Sequence, residues 1–330
     1  MAEFLTFDTD LTAVANAIRA KGGTSAQLIY PSGFVSAIQA IQTGIKPKLV
    51  VTTTPGAAIT ATPAEGFKVV KGTAGADGMC TLELPKAGTW HVTAMANSVS
   101  NSQNIVIGTQ NMLLPLYHDT FANNTWEEII AVCRTGIAPD SWAVGDSKTM
   151  NIGGTAYQVD IIGKNHDEYA DGSGTAPLTF QLHDCYSEAK QMYSTNLSGL
   201  GWKNTDMRLT YLPAILALMP AEVQNGIRAV NKKTSEGGNS TTIETVSDTL
   251  FLLSEVEIFG TASSSVAGEG SQYDYYKAGN PKIKKREGVD ELWWERSSAS
   301  GGMFCRVRAN GQAGASNASS SLGVSFAFCF

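Results

Sequence analysis

The chain of 330 residues is predicted to be a multi-domain protein, with a short helical segment at residues 1–44, a small all-β sandwich at 46–108 and an α+β domain at 115–330. Three patterns predict this fold class. Apolar residues recur at helical spacing near the N-terminus, short alternating runs follow between turn residues, and the remainder mixes strands, helices and long loops. A chain of this length usually holds two or three domains, each able to bury its own core.

The composition is typical of a loop-rich globular protein. The net charge is −6, charged residues make up 16% of the chain, and Gly, Ser, Thr and Asn are frequent. Because this balance is mildly acidic, we expect no nucleic-acid partner and no membrane insertion. The one basic run, KIKKRE at 282–287, is predicted to be a solvated turn or edge.

The N-terminal stretch and the cysteines both predict synthesis in a reducing cytoplasm. MAEFLTFDTD lacks the basic and apolar regions of a signal peptide. The five cysteines are odd in number and widely scattered, without the paired spacing of a metal site or of a disulfide framework. We therefore expect buried free thiols at Cys80, Cys133, Cys185, Cys305 and Cys329.

The helical segment contains two amphipathic stretches. DTDLTAVANAIRAKGG places four apolar residues on one helical face, Leu11, Val14, Ala15 and Ile18. PSGFVSAIQAIQTG, residues 31–44, has the same helical spacing of apolar residues. Because two short helices bury too little apolar surface to be stable alone, their stripes need a partner. That partner is either a neighbouring protomer or the next domain of the same chain.

The middle segment reads as six short strands. Apolar and polar residues alternate in KLVVTTT, AITATP, FKVVKG, MCTLELP, TWHVTAMA and QNIVIG. The stretches between them, PG, AEG, AGADG, KAG and NSVSNS, have turn chemistry. Regular short strands at this spacing favour a small antiparallel sandwich. His91 is an isolated histidine on a strand, for which a structural role is expected.

The third segment begins with the helix NNTWEEIIAVCRTG, in which Asn124 and Glu127 fit a capping box. Helices are also predicted near 184–194 and at 205–227. Strands are predicted at SWAVGD, TAYQVDIIG, PLTFQLHD, TLFLLSEVEIFG, ELWWERS, MFCRVRA and GVSFAFCF. Because neighbouring strand residues point to opposite faces, at least one of Trp293 and Trp294 is expected to be less buried.

No motif in the chain predicts catalysis, so we expect no enzyme activity, no cofactor and no metal. The four histidines lack metal-ligand spacing, and no nucleophile elbow or P-loop occurs. Cys185 lies near His183 in sequence but has no third orienting group. The loop NHDEYADGSG departs from an EF-hand, so a solvated hairpin turn is preferred over a calcium site near Asp167–Asp171.

The C-terminal stretch combines small residues with an aromatic frame. Residues 298–322 are mostly Ser, Ala, Gly and Asn, between LWWERS and GVSFAFCF. In FCRVRA, alternation places Val307 on one face and Arg306 and Arg308 on the other. Since core positions do not accept arbitrary side chains, only outward positions can vary freely. The stretch is either such a tolerant surface or a small-residue loop without a special role.

Several stretches of the third segment resemble phage and prophage tail proteins with a C-type-lectin-like fold, related to the formylglycine-generating-enzyme fold. They are DSWAVGDSKTMNIGGTAYQVDIIGKNHDEYADGSG, FLLSEVEIFG, GEGSQYDYYKAGN and WWERS. The resemblance covers residues 115–330. Residues 1–44 are similar to the start of many tail-fibre and baseplate proteins, and 46–108 resembles immunoglobulin-like modules. The cysteine pair of the catalytic enzymes has no counterpart here, so that activity is not implied.

Some members of this family end in a segment diversified by a retroelement, which randomises adenines mainly in Asn-type codons. The resemblance implies such a segment at 298–322, with Phe304, Cys305, Val307, Gly311 and GVSFAFCF as the fixed frame. The implied variable ligand-binding face consists of Ala299, Ser300, Gly301, Gly302, Arg306, Arg308, Ala309, Asn310, Ala313, Ala315, Ser316, Asn317, Ser319 and Ser320.

The resemblance therefore implies a non-catalytic receptor-binding tail fibre or adhesin in the virion, made in the bacterial cytoplasm. Its partners would be a bacterial surface protein or glycan and, through the N-terminal segment, other tail proteins. It would be a homo-oligomer, with a trimer favoured. One alternative is a structural tail or baseplate subunit without receptor specificity. Another, an enzyme acting on surface glycans, lacks a recognisable carboxylate pair.

Overall fold

The computed structural model describes residues 8–22, 47–64, 66–107, 111–238 and 240–330. The chain divides into two compact units, Met1–Tyr117 and His118–Phe330. The described residues form several β-sheets and few helices, as expected from the strand-rich sequence. None of the helices in these residues is long and apolar enough to cross a membrane.

The first unit begins with helix α1, Asp8–Gly22, which confirms the first predicted helix. On its apolar stripe Ala15 and Ile18 are buried, whereas Val14 is 46% exposed. The second predicted helix, at residues 31–44, lies outside the described residues.

The described strands of the first unit form two sheets. Their bounds are β1 Lys48–Thr52, β2 Ala58–Pro63, β3 Val70–Thr73, β4 Met79–Glu83, β5 Gly88–Ala96, β6 Val99–Ile107 and β7 Asn111–Leu113. One sheet has the order β3-β2-β5-β6 and the other β4-β1-β7. Both sheets contribute to one hydrophobic core, which includes Leu49, Val51, Ile59, Trp90, Val92 and Ile107. His91 lies on β5, where its ring contacts the side chain of Asn104 at 2.8 Å.

The first unit differs from the prediction in two places. The predicted turn NSVSNS is a two-residue turn at Asn97 and Ser98, whose φ angles of 48° and 65° match a tight hairpin, so β6 already begins at Val99. Strand β7 was not predicted, and it pairs in parallel with β1.

The second unit is built around a five-stranded sheet in the order β13-β19-β10-β9-β8. The strands are β8 Ser147–Ile152, β9 Thr155–Lys164, β10 Leu178–Leu182, β13 Leu250–Phe251 and β19 Ala327–Cys329. Phe180 of β10 lies 5.3 Å from both Phe328 and Phe330, measured between ring centroids. The aromatic C-terminus is therefore part of the core of this unit.

The helices of the second unit are short. They are α2 Trp126–Cys133, α3 Leu212–Leu216, α4 Ala221–Gly226, α5 Glu255–Phe259 and α6 Asp274–Lys277, with a π-helical turn at Met207–Tyr211 before α3. The remaining strands are β11 Val230–Ser235, β12 Ile243–Asp248, β14 Lys284–Arg286, β15 Val289–Glu291, β16 Trp293–Ser298, β17 Met303–Val307 and β18 Ala313–Asn317.

Several predictions of elements in this unit were wrong. The capping box of α2 is formed by Thr125 and Glu128, one residue later than predicted, while the side chain of Asn124 bonds backbone groups of the preceding loop. SWAVGD forms turns, and residues 184–194 are not helical. Only Leu250–Phe251 of the predicted strand TLFLLSEVEIFG is a strand, since its second half forms α5. The hairpin β11–β12 was not predicted.

Candidate functional site

The candidate residues belong to an antiparallel sheet in the order β16-β17-β18. Its register places Cys305 opposite Ala315 and Arg306 opposite Gly314. Trp293 and Trp294 of β16 are both fully buried, so the expectation that one would be less buried was wrong. The reason is that each indole is enclosed and still donates a hydrogen bond, to the carbonyl oxygens of Lys282 at 2.9 Å and Lys190 at 2.8 Å.

Burial separates the candidate residues from the frame with two exceptions, the buried candidate Ala299 and the partly exposed frame residue Gly311. Phe304, Cys305, Val307 and all of residues 322–330 are buried. Of the fourteen candidates, Ala299 is 2% exposed and belongs to the interior. The other thirteen are partly or fully exposed: Ser300, Gly301, Gly302, Arg306, Arg308, Ala309, Asn310, Ala313, Ala315, Ser316, Asn317, Ser319 and Ser320.

The strand register divides these residues between two faces of the sheet. Successive side chains of a strand point to opposite faces, and paired residues of neighbouring strands share a face. Arg306 therefore lies on one face together with Ser316, whereas Ala313 and Ala315 lie on the other face with Cys305. The candidates are thus not one flat surface, and each face has its own surroundings.

On the face of Ala315, part of the candidate segment borders a cavity of about 440 Å³. A serine loop at residues 263–265, which follows α5, supplies the opposite wall. The cavity is lined by Ser263, Ser264, Ser265, Val266, Ala299, Ser300, Met303 and Ala315. Hydroxyl groups and small apolar groups therefore define its chemistry, without a charged side chain in the lining.

The serine loop is held by the buried carboxylate of Glu255. This carboxylate accepts hydrogen bonds from the backbone N–H groups of Ser263, Ser264 and Ser265, at 2.9–3.2 Å, and from the hydroxyls of Ser263 and Ser265. Burial alone would raise the pKa of Glu255, but the hydrogen bonds from Ser263 and Ser265 outweigh it, so the pKa lies below its ordinary value. The ionised carboxylate fixes the loop that borders the cavity.

Glu295 of β16 has the opposite environment. It is fully buried, and neither carboxyl oxygen has a hydrogen-bond partner among the described residues. Burial and the nearby carboxyl groups of Glu255 and Glu269 raise the pKa of Glu295 well above its ordinary value of 4.5. Its environment therefore favours the neutral, protonated carboxyl in the folded protein.

A second polar cluster fills the interior behind another cavity, of about 470 Å³. Lys232 lies 2.6 Å from Asp167 and 2.7 Å from Glu257, Arg296 forms a two-pronged ion pair with Glu257, and the hydroxyl of Tyr273 donates to Asp167 at 2.8 Å. Burial would raise the pKa of Asp167, but Lys232 lowers it to about 2. Each carboxylate has partners inside the protein, so the cluster acts as a scaffold beneath β11.

The loop NHDEYADGSG differs from the predicted solvated turn at two positions, Asp167 and Tyr169, which are both buried. Asp171 is exposed and pairs with Arg228 at 2.5 Å, whereas Asp167 is buried in the scaffold cluster. Within the described ranges, no group of three or more His, Cys, Asp or Glu residues is placed to hold a metal ion.

The basic run KIKKRE was also predicted to be solvated, and here the structure shows the β14–β15 hairpin. Lys284 is buried because its ammonium group donates to the carbonyl oxygens of Leu182 at 2.6 Å and His183 at 2.8 Å. Burial lowers the pKa of Lys284 to about 8.

All five cysteines are free and buried, as predicted. Burial raises the pKa of the Cys185 thiol to about 12. The pKa of Cys305 is raised as well, by burial and by the carboxyl groups of Glu295 and Glu255. His183 lies near Cys185 in sequence, but its Nδ1 is 2.7 Å from Asp160, a hydrogen bond that raises the histidine pKa. These thiols are held protonated at neutral pH.

The serine loop and Glu255 were missed because FLLSEVEIFG was interpreted as a strand. A local signal did exist: Ser254 and Glu257 have capping-box spacing, and in the structure they form that box at the start of α5. Nothing in the sequence pattern shows that Glu255, between them, turns inward to the serines.

The comparisons with known proteins concern this part of the chain. Residues 179–330 are similar to a protein family described as a domain of unknown function, DUF6273. This stretch runs from the second residue of β10 to the end of the chain and includes the serine loop and all fourteen candidate residues. No curated protein and no solved structure matches the chain.

Proposed function

We propose that this chain is a non-catalytic, phage tail-associated receptor-binding protein that recognises a bacterial surface ligand through residues 298–322. In this proposal the second unit is a C-type-lectin-like recognition domain, and residues 46–108 form an immunoglobulin-like module. The N-terminal segment attaches the protein to the virion and to neighbouring protomers.

One observation supports the proposal more than any other. Most of the small and polar residues of 298–322 are accessible to solvent, the buried ones being Ser298, Ala299, Gly314 and Ala318, while Phe304, Val307 and the aromatic residues that follow the stretch are buried. Exposed positions accept substitution with little change in stability, and buried ones do not. A segment of this kind can change its ligand without changing its fold.

Binding to cells tests the proposal. We expect Ser300→Tyr, Asn310→Tyr and Asn317→Asp to change which strains of a bacterial panel bind the labelled full chain. Because these side chains are exposed, each substitution should change the free energy of unfolding by about 0.5 kcal/mol or less. Thr249→Tyr, at an exposed site of the same unit outside the segment, is the matched control.

The measurement is the adsorption of each variant to every strain of the panel, compared with that of the natural protein. A thermal melt of each variant shows whether it is folded. An unchanged strain profile for all three variants, with intact melts, would count against recognition through this segment and favour the structural tail subunit. A reverse-transcriptase gene beside an adenine-rich copy of the 3′ end of this gene would support diversification independently.

A further inference from the structure

Residues 298–322 carry a positive charge, although the whole chain is acidic. After Arg296 the sequence contains no Asp or Glu, and its charged side chains are Arg306 and Arg308. Four other arginines of this unit have carboxylate partners, namely Arg208, Arg228, Arg286 and Arg296. Within the described ranges, neither Arg306 nor Arg308 has a carboxylate within ion-pair distance.

The two guanidinium groups converge over Gly314. A Cβ atom at Gly314 would lie 2.9 Å from Nε of Arg308 and 3.5 Å from Nη1 of Arg306. The absence of a side chain on β18 at this point is what allows both groups to lie there. Because both groups lie close to the same point, their like charges repel each other, and the pKa of Arg306 is lowered by burial and then by Arg308.

The hydrogen bonding of this pair is incomplete. Nε of Arg306 donates to the hydroxyl of Ser316 at 2.6 Å, but its Nη1 is enclosed without an acceptor among the described residues. Nε of Arg308 donates to the carbonyl oxygen of Ala313 at 3.1 Å. Because the Ser316 hydroxyl accepts from Arg306, its own proton is free for another acceptor.

We propose that Arg306, Arg308 and the hydroxyl of Ser316 form an oxyanion-binding subsite, and that the ligand of this face carries a phosphate or carboxylate group. This inference rests on the proposed function and adds a ligand class to it. An oxyanion placed between the guanidinium groups neutralises their repulsion and supplies acceptors for their N–H groups. Arginine suits this role because its planar fork matches phosphate and carboxylate oxygens.

Matched pairs of sugars test the chemistry directly. NMR titrations of the full chain at low ionic strength compare mannose 6-phosphate with mannose, and glucuronic acid with glucose. We expect the charged member of at least one pair to bind about tenfold more tightly or better, since each charge-assisted contact is worth roughly one order of magnitude. The preferred pair distinguishes phosphate from carboxylate. Added salt should weaken that binding and leave any neutral binding unchanged.

Three variants locate the subsite. Arg306→Gln with Arg308→Gln should remove the preference for the charged sugar. Gly314→Ala keeps both charges but displaces the guanidinium groups, and should reduce the preference at least several-fold. Lys277→Gln with Lys285→Gln removes the same charge at exposed positions elsewhere and should change nothing. A melt of each variant confirms that it is folded.

Equal affinity for charged and neutral sugars, no binding of either charged sugar at about 10 mM, or an unchanged preference in the double arginine variant would overturn the subsite. Cell binding separates this failure from that of the proposed function. If Ser300, Asn310 and Asn317 variants change the strain profile and the arginine variants do not, only the oxyanion subsite fails. If none of them changes it, the receptor-binding function fails.

Discussion

Glu295 is in an environment that its chemistry disfavours. Its carboxyl group is enclosed in β16 without a hydrogen-bond partner among the described residues, beside Glu255 and Glu269. A buried polar group without a partner lowers stability relative to an apolar group of similar shape. The fold tolerates this cost because the group takes up a proton rather than burying a charge.

We therefore expect Glu295→Met to stabilise the protein by about 1–3 kcal/mol at pH 4.5 and below, and by more at pH 7. The folded-state pKa of Glu295 is raised, so the native protein holds a proton that the unfolded chain releases above pH 4.5. The stability of the natural protein should then fall relative to the variant by about 1.4 kcal/mol per pH unit above that value, until the folded-state pKa is reached. Urea unfolding at several pH values measures this.

Glu295→Gln is the control for this prediction, because it keeps the polar group and removes the titration. It should show the same divergence from the natural protein with pH as Glu295→Met. A difference between the natural protein and Glu295→Met that does not change with pH would show that the carboxyl is not a buried neutral acid.

At the scale of elements, the serine loop at 263–265 depends on one carboxylate. Glu255→Gln leaves one amide oxygen to accept bonds from three N–H groups and two hydroxyls. We expect a loss of about 2–3 kcal/mol at pH 7, since hydrogen bonds to an ionised acceptor are the stronger ones. Hydrogen exchange of the loop amides, with a chemical melt, measures the effect.

The pH dependence of Glu255 has the opposite sign to that of Glu295. Because the folded-state pKa of Glu255 is lowered, its contribution is present above its ordinary value of 4.5 and is lost as the pH falls through the folded-state value. The natural protein and Glu255→Gln should therefore converge in acid. Unchanged exchange at the loop amides would contradict the anchoring role.

Helices and strands were predicted correctly where a local sequence pattern was strong. They were missed where contacts with residues distant in sequence determine the local structure. The helical spacing of Trp126, Ile129, Ile130 and Cys133 predicts α2, although its capping box begins at Thr125, one residue after the predicted Asn124. Strand β11 was not predicted because the polar Lys232 occupies a core position. Its charge is compensated there by Asp167 and Glu257, which are distant in sequence. The segment 184–194 is extended because its backbone pairs with the C-terminal region, as between Lys190 and Leu322.

At the scale of the whole molecule, composition and turn spacing predicted a strand-rich chain with a helical start. The central sheet of the second unit was beyond local patterns, because it pairs β10 with β19 across most of that unit. The same holds for the candidate site. The alternation around Val307 predicted the face of Arg306 and Arg308, but the cavity wall comes from the serine loop and the charge pair depends on Gly314.

The exposed part of helix α1 bears on the association of protomers. Helix α1 carries an apolar stripe in which Val14 is 46% exposed in the single chain, although Ala15 and Ile18 beside it are buried. A helix of 15 residues with so small an apolar stripe gains most of its stability from packing. We therefore expect the full chain to form a homo-oligomer, with a trimer favoured, in which Val14 is covered by a neighbouring protomer.

Val14→Glu should dissociate this oligomer at micromolar concentration, because it places a charge in an apolar contact. Ala13→Glu, at an exposed position of the same helix outside the apolar stripe, should leave it intact. Sedimentation equilibrium of the three proteins decides the matter. A monomeric natural chain would remove the prediction, and equal dissociation by both variants would mean that the charge acts on the helix itself and not on a contact between protomers.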